Sequence, residues 1–174
     1  TGAASIAVSA GIAVPELYAV VETNHDAQRL ASLLAPYQDF VIKPAHGSGG
    51  EGIVVVDGRQ GKLFRKASGQ LVTLASLEHH VGNILSGMYS LGGQPDHAMI
   101  EYRVRFDPLF KDITFQGVPD IRTIVFKGYP VMAMVRLPTR TSDGKANLHQ
   151  GAVGAGINIA TGVTHHGVFN SLKI

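Results

Sequence analysis

Hydrophobic residues recur along this chain with two different spacings. Near residues 25–35, and again from about 76 to 91, apolar positions return every three or four residues, which predicts helices with one buried face. Elsewhere the apolar residues form short runs rich in Val, Ile and Phe and bounded by Gly, Pro or Asp, which predicts β-strands. A further helix is expected at 3–10, and strands are expected near 17–21, 40–44, 53–57, 63–66, 71–74, 98–104, 121–126, 131–137 and 152–159.

Turn residues separate these predicted elements. Asp57-Gly58 and Ser68-Gly69 predict tight turns that join three strands into an antiparallel meander. Thr23 or Asn24 is a candidate N-cap for the helix at 25–35, and Ala75 or Ser76 begins the later helix. The polar stretch 138–151 predicts a loop, and loops of this length tend to be functional or disordered. The pattern predicts an α+β fold of antiparallel sheets with flanking helices.

Composition narrows the class of protein. The 174 residues are 45% hydrophobic and 16% charged, as in a globular domain. The absence of cysteine excludes disulfides and thiolate metal sites, and no apolar run approaches the roughly 20 residues that a membrane helix needs. The net charge of +2, with scattered Lys and Arg, gives little support to nucleic-acid binding. We expect a cytoplasmic protein with no membrane or nucleic-acid partner and, because the chain lacks an initiator Met, a fragment of a longer protein.

Residues 40–56, which read FVIKPAHGSGGEGIVVV, carry the clearest chemical signal. An apolar strand ends in Lys43 and Pro44, a glycine-rich turn follows, and a second apolar strand begins. Glycine has no Cβ, so this backbone can adopt positive φ and present N–H groups to an anion. An ammonium about 4 Å from a phosphate oxygen gains roughly 4 kcal/mol at an effective dielectric near 20, before desolvation and ordering costs. The stretch predicts a polyphosphate site formed by Lys43, Gly47, Ser48, Gly49, Gly50 and Gly52.

Three better-known phosphate-binding loops do not fit. A dinucleotide-binding G-x-G-x-x-G turn must open a helix, whereas 53–56 is β-branched and reads as a strand. A protein kinase places its lysine on the strand after the loop and needs H-R-D and D-F-G motifs downstream, and neither motif follows. The Walker A pattern fails because Gly61-Lys62 is followed by Leu63. A plain hairpin with a loose turn is the competing interpretation.

A strand ending in Lys-Pro, a glycine-rich turn and a second strand together resemble the central nucleotide-binding segment of the ATP-grasp ligases. The order of the later motifs strengthens this resemblance, since Met-Ile-Glu-Tyr at 99–102 and Asp-Ile-Arg at 120–122 follow in the order of the family. The resemblance implies two lobes around a nucleotide cleft, with ATP and Mg²⁺ as cofactors. It also implies that Lys43 contacts the α and β phosphates while the glycine turn closes over them as a lid. We expect a small lobe near 15–97, the start of a large lobe near 98–174, and an incomplete ATP-grasp domain over 1–174.

Further site residues follow from the same resemblance. The strand near 98–104 is similar to the hinge between the two lobes, which implies that Glu101, Tyr102 and Val104 line the adenine site. An exposed strand residue and a half-buried aromatic are the alternatives for Glu101 and Tyr102. Asp107 is a weaker candidate for the ribose hydroxyls.

Two arginines are candidates for stabilising a phosphoryl group in transfer. Arg122 and Arg136 lie on consecutive predicted strands, and the guanidinium group supplies the fixed positive charge that phosphoryl transfer needs. We expect both to converge on the face that carries Lys43, with Asp120 nearby as a tentative substrate residue. A surface ion pair worth under about 1 kcal/mol is the alternative.

The stretch 136–151 resembles the substrate loop of the glutamate ligases that extend a protein's C-terminal tail, and of their sugar-transfer-associated ATP-grasp homologues. It carries Arg136, a polar loop and then Asn147-Leu148-His149. The resemblance implies that Asn147 is a catalytic residue and that His149 lies beside the acceptor or the phosphate. An ordinary loop histidine is the alternative for His149.

The chain also departs from the family. ATP-grasp enzymes carry their magnesium ligands after the substrate loop, and no carboxylate follows Gly151. No metal ligand is therefore assigned within the chain, and the adjacent pairs His79-His80 and His165-His166 point in different directions, which makes them poor metal sites.

These features predict an ATP-dependent carboxylate–amine ligase that forms an amide through an acylphosphate, with small-molecule or peptide acid and amine substrates and with glutamate as one candidate. The fragment alone is expected to be inactive. Two alternatives stay open: an ATP-binding module without ligase activity, and an accessory protein of a sugar or polymer transfer pathway.

Overall fold

The computed structural model describes residues 2–105, 107–115, 117–142, 145–170 and 172–173. The chain divides into two compact units, Thr1–Val104 and Arg105–Ile174. Each unit contains one antiparallel sheet, so the predicted α+β class is confirmed.

The described residues of the first unit form four α-helices and six strands. The helices are α1 (Gly2–Ser9), α2 (Asn24–Ala27), α3 (Leu30–Leu34) and α4 (Leu74–Leu85). The strands are β1 (Leu17–Val21), β2 (Phe40–Pro44), β3 (Val54–Gln60), β4 (Leu63–Lys66), β5 (Leu71–Val72) and β6 (Ala98–Glu101). They form a sheet in the order β1-β6-β2-β3-β4-β5, in which every neighbouring pair is antiparallel.

The core of this unit lies between one face of the sheet and the helices. Strand residues alternate between the two faces, so Phe40 and Ile42 of β2 and Ile100 of β6 are completely buried. Apolar residues from α2, α3 and α4 pack against the same face. Lys43 lies between two buried positions of β2 and therefore belongs to the opposite, more open face.

Arg59 fastens this core to the helical layer. Its guanidinium group donates to the carbonyl oxygens of Leu34 at 2.5 Å and Tyr37 at 3.0 Å, and it lies 4.6 Å from the ring centre of Phe64. The last carbonyls of a helix lack partners within the helix. Arg59 of β3 thus caps the end of α3, although it lies 25 residues after Leu34 in the chain.

The second unit is a five-stranded antiparallel sheet. Its strands are β7 (Asp120–Phe126), β8 (Tyr129–Leu137), β9 (Val153–Ile157), β10 (Thr164–Phe169) and β11 (Leu172–Lys173), in the order β11-β10-β9-β8-β7. Short 3₁₀ helices lie at Pro108–Phe110 and Leu148–Gln150 in this unit, and another lies at Leu91–Gly93 in the first. Strands β10 and β11 were not expected from the sequence.

Two predicted element boundaries are wrong for identifiable reasons. The helix expected at 25–35 is divided into α2 and α3 at Arg29, where φ is −92° and ψ is 7°, although Ala27, Leu30 and Leu34 share the predicted buried face. Asp57-Gly58 lies inside β3, where the pairing with β4 shifts between Val56 and Gly58. This irregularity is a β-bulge, and Asp57 pairs there with Arg65 of β4.

Helix α4 also begins earlier than expected. Its N-cap is Thr73, whose side-chain oxygen accepts a hydrogen bond from the backbone N–H of Ser76 at 3.2 Å. Leu74 therefore starts the helix and does not end a strand. The helix ends near Gly87, which has a φ of +83° and leaves no space for a Cβ beside the carbonyl of Gln94.

The strand β6 lies inside the first unit because both of its neighbours, β1 and β2, belong to that unit. The compact unit therefore ends at Val104, whereas the sequence placed the start of the large lobe near residue 98. The two-lobe division of the complete domain stays a prediction.

Candidate nucleotide site

Lys43 lies at the centre of the first sheet. It occupies β2, which pairs with β6 on one side and β3 on the other. Lys43 is opposite Met99 of β6 in the register, and Val41 is opposite Glu101. These four residues share one face of the sheet, because side chains two residues apart on a strand point to the same side.

The ammonium group of Lys43 forms an ion pair with Oε1 of Glu101. The Lys43 side chain is 32% exposed, whereas that of Glu101 is 10% exposed. Burial of the carboxylate makes this pair more than a solvated surface contact, because a buried charge needs a partner. Glu101 therefore holds the lysine ammonium on the open face of the sheet. Lys43 keeps enough exposure to contact a ligand.

The turn after β2 requires glycine for two reasons, which are backbone conformation and space. Gly49, Gly50 and Gly52 have φ values of +64°, +80° and +73°, a region that other residues adopt only at a cost. Gly47 is required for space, because a Cβ there would lie 2.3 Å from Cγ of Pro44. The backbone N–H of Glu51 donates to the carbonyl of Ser48 at 3.1 Å, which closes the turn. The turn is therefore tightly folded.

A cavity of about 250 Å³ lies between Lys43 and this turn. Its wall includes Lys43, Gly47, Gly50, Glu51, Ile53 and Met99. Lys43 and the two glycines were predicted as phosphate ligands, whereas Glu51, Ile53 and Met99 were missed. The position of Met99 could have been inferred, since it lies two residues before Glu101 on the same strand. The cavity combines a cation, glycine backbone and apolar side chains, as a nucleotide site requires.

The three predicted adenine residues do not line this cavity. The backbone N–H of Tyr102 donates to the carbonyl of Glu16 at 2.8 Å. That N–H group is therefore already hydrogen-bonded within the protein. The side chains of Tyr102 and Val104 are 37% and 44% exposed. Their role at an adenine ring stays a prediction.

A buried carboxylate anchors the beginning of the turn. Oδ2 of Asp96 accepts a hydrogen bond from the backbone N–H of His46 at 2.9 Å. Oδ1 of Asp96 lies 2.7 Å from Nδ1 of the His46 ring. It also accepts the N–H of His97 at 2.8 Å. Burial raises the pKa of Asp96, but these hydrogen bonds from His46 and His97 together outweigh burial and hold the pKa below its usual value. Asp96 lies 50 residues from His46, so no local sequence signal pointed to it.

The second unit brings Asp120, Arg122 and Arg136 onto one face of its sheet. Asp120 is opposite Arg136 in the register, and Arg122 is opposite Met134. Nε of Arg136 donates to Oδ1 of Asp120 at 2.6 Å, and Nη2 contacts Oδ2 of the same carboxylate. This two-point contact raises the pKa of Arg136 and fixes the plane of its guanidinium group.

The predicted substrate loop is folded on itself. Oγ1 of Thr139 donates to the carbonyl of Gly151 at 2.6 Å, which joins the two ends of the loop. Oδ1 of Asn147 accepts the backbone N–H of His149 at 3.1 Å and caps the short helix Leu148–Gln150. Asp143 and Gly144, which belong to the same loop, lie outside the described residues. The His149 side chain is exposed.

The predicted convergence of both arginines with Lys43 stays a prediction, because these residues belong to different compact units. The roles of Asn147 and His149 at a substrate also stay predictions.

No group of three or more His, Cys, Asp or Glu side chains positioned to hold a metal ion occurs in the described ranges of the chain.

A Lys-bearing strand that leads into a glycine turn beside a cavity is consistent with a module of the ATP-grasp type. A family model for sugar-transfer associated ATP-grasp proteins matches residues 3–173. The chain therefore belongs to the sugar-transfer associated ATP-grasp family. ATP-grasp proteins bind ATP, generally with Mg²⁺, and are generally ligases.

The remaining comparisons add no relative. Neither curated protein sequences nor solved structures gave a match to this chain. None of the helices in the described part of the chain is long and apolar enough to cross a membrane.

Proposed function

We propose that this chain is the nucleotide-binding part of an ATP-dependent carboxylate–amine ligase. In the proposed reaction, a substrate carboxylate oxygen attacks the γ-phosphorus of ATP, which gives an acylphosphate and releases ADP. An amine then attacks the acyl carbon, loses a proton and displaces inorganic phosphate, so that an amide forms. The single observation that carries the proposal is Lys43, whose ammonium is held by Glu101, on the wall of a cavity that the glycine turn also lines.

Lys43 and the turn bind the phosphates in this proposal. An ammonium carries three N–H donors, so Lys43 can keep its contact with Glu101 and still donate to a phosphate oxygen. The glycine turn adds backbone dipoles that are already oriented and so cost little reorganisation. The Glu101 carboxylate partly offsets the charge of Lys43. The backbone of the turn therefore contributes a large share of the attraction for phosphate.

The second unit supplies the residues that act at the transferring group. Arg122 and Arg136 would stabilise the charge on the equatorial oxygens of the phosphoryl group. Asp120 would act by holding Arg136 in a fixed plane, and Asn147 and His149 would lie beside the acceptor. Magnesium would add further charge neutralisation at the phosphates.

An ATP-binding module without ligase activity is the second candidate. Such a module would bind ATP in the same cavity and carry out no phosphoryl transfer. An accessory role in a sugar or polymer transfer pathway is consistent with the description of the family.

Nucleotide binding can be tested by titrating the chain with MgATP in a calorimeter. Lys43→Met removes the charge and keeps most of the stem, while Lys62→Met removes an exposed charge in the turn between β3 and β4 as a matched control. We expect Lys43→Met to weaken binding at least about tenfold, a small part of the Coulomb term for one ammonium near a phosphate. Lys62→Met should bind as the parent does. Equal affinities for the parent and Lys43→Met would refute the phosphate role of Lys43.

Ligase activity requires a second measurement. ADP release by the complete natural protein, not by this chain alone, is followed with pairs of candidate acids and amines. Hydroxylamine is added to trap an acylphosphate as a hydroxamate. A ligase should release ADP only when the acid is present and should form hydroxamate at the expense of amide. MgATP binding without acid-dependent ADP release would favour the binding module.

A further inference from the structure

The glycine turn is attached at both ends to the segment that contains α4 and the residues just after it. Gly47 forms an antiparallel bridge with Ser90, and Gly52 contacts His80 and Tyr89. His80 belongs to the adjacent pair His79-His80, which is a poor metal site because neighbouring side chains point in different directions. The proposed function does not depend on these contacts of Gly47 and Gly52.

His80 makes a specific hydrogen bond to the turn. Nε2 of its ring lies 2.8 Å from the carbonyl oxygen of Gly52, and the side chain is half-buried. A carbonyl oxygen only accepts hydrogen bonds, so Nε2 carries the proton and donates it. Burial lowers the pKa of His80, with Lys66 and His79 acting in the same direction and the bond to Gly52 acting against them. His80 is thus disposed to act as a neutral donor.

Tyr89 determines how closely the turn can approach this histidine. A Cβ at Gly52 would lie 2.6 Å from both Cγ and Cδ2 of the Tyr89 ring. The rings of Tyr89 and His80 have their centres 5.5 Å apart. Tyr89 therefore fills the space into which a side chain at Gly52 would extend.

The orientation of one peptide group follows from these contacts. In a planar trans peptide the C=O and the N–H point in opposite directions. The carbonyl of Gly52 points towards His80. The N–H of the next residue, Ile53, therefore points away from His80, and Ile53 is one of the residues that line the cavity beside Lys43.

We propose that His80 is a positioning residue of the nucleotide site, which holds the Gly52 carbonyl so that the N–H of Ile53 is presented to a phosphate group of the bound nucleotide. This role rests on the proposed binding of a nucleotide in the cavity. His80 itself does not touch the phosphate and acts through the peptide between Gly52 and Ile53. Tyr89 limits the movement of that peptide.

Substitutions at two adjacent histidines test this role. His80→Leu removes the donor, whereas His80→Gln keeps an N–H donor at about the position of Nε2. His79→Leu is the matched control, because His79 is the exposed neighbour on the same helix. His80→Asn serves as a second loss variant, since it is polar but too short to reach Gly52. The melting temperature of each variant without nucleotide reports any purely structural effect.

Affinities for MgATP and adenosine are measured for each folded variant. We expect His80→Leu and His80→Asn to weaken MgATP binding about tenfold, the loss typical of one hydrogen bond to a charged group, and to leave adenosine binding unchanged. His80→Gln and His79→Leu should bind MgATP as the parent does. Equal losses for MgATP and adenosine, or unchanged MgATP binding in His80→Leu, would overturn the positioning role.

The amide resonance of Ile53 gives a direct readout. It should shift on addition of MgATP in the parent and in His80→Gln, and the shift should be lost or strongly reduced in His80→Leu. A parent chain that binds MgATP without moving this resonance would overturn the role of His80 and leave the proposed nucleotide site intact. A parent chain that does not bind MgATP would overturn both.

Discussion

Replacing Gly52 by Ala should destabilise the protein clearly more than the same change at Gly50. Both glycines have positive φ, +73° at Gly52 and +80° at Gly50. A Cβ at Gly52 would lie 2.6 Å from the Tyr89 ring, whereas a Cβ at Gly50 would meet nothing within 4 Å. Gly50→Ala therefore measures the backbone cost alone, and Gly52→Ala measures the backbone cost together with the collision.

The magnitudes follow from these two geometries. A left-handed backbone costs an alanine about 1–2 kcal/mol, and the stiffer unfolded chain returns about 0.4–1 kcal/mol, so Gly50→Ala should lose about 1 kcal/mol. Tyr89 packs against the buried core, so moving its ring is an overpacking change that adds about 1–3 kcal/mol. We expect Gly52→Ala to lose about 2–4 kcal/mol of unfolding free energy.

The assay is urea unfolding monitored by circular dichroism. The slope of the unfolding free energy against urea concentration must be the same for all variants so that their free energies can be compared. A Tyr89→Ala background removes the ring, and in that background the penalties at Gly50 and Gly52 should become similar. Equal losses at the two glycines in the presence of Tyr89 would refute the reasoning, because they would show that the Tyr89 ring does not confine the turn.

Two further predictions concern residues that join distant parts of the chain. Arg59→Ala should lower the unfolding free energy by about 2–4 kcal/mol, because two hydrogen bonds from its charged guanidinium group to the carbonyls of Leu34 and Tyr37 are lost. Urea unfolding measures this loss. A loss well below about 2 kcal/mol would mean that Arg59 acts only as a surface charge. Asp96→Asn should destabilise the protein at neutral pH. The carboxylate has a lowered pKa in the folded state, so its stabilisation is present above the ordinary value of 3.8 and is lost as the pH falls through the folded-state pKa. Unfolding curves of the parent and Asp96→Asn from pH 7 to pH 3 should therefore converge, and a constant difference would contradict the ionised role of Asp96.

Much of the site was predictable because its signals are local. Lys43, Pro44 and the following glycines lie close together in the sequence, and their residue types alone indicate a turn that approaches an anion. The buried faces of α3 and α4 were also predictable, because apolar residues return at the period of a helix. The positive φ values at Gly49, Gly50 and Gly52 agree with this interpretation.

Other features required the folded chain. Asp57-Gly58 has the composition of a turn but forms a bulge, because Asp57 pairs with Arg65 across the β3–β4 hairpin. The later strands β10 and β11 carry no clear alternation of apolar residues, so their pairing is not visible in the sequence.

The sequence by itself determined the class of fold, the strand that carries Lys43 and the glycine turn, because each depends on neighbours in the chain. Only the tertiary structure decided that Glu101 holds the lysine, that Asp96 anchors His46, and that His80 holds the Gly52 carbonyl. Each of these partners comes from another strand, loop or helix, and the pairing depends on strand register and on the packing of α4. A change of one residue in register would reverse which face of β6 carries Glu101, so local patterns cannot specify such contacts.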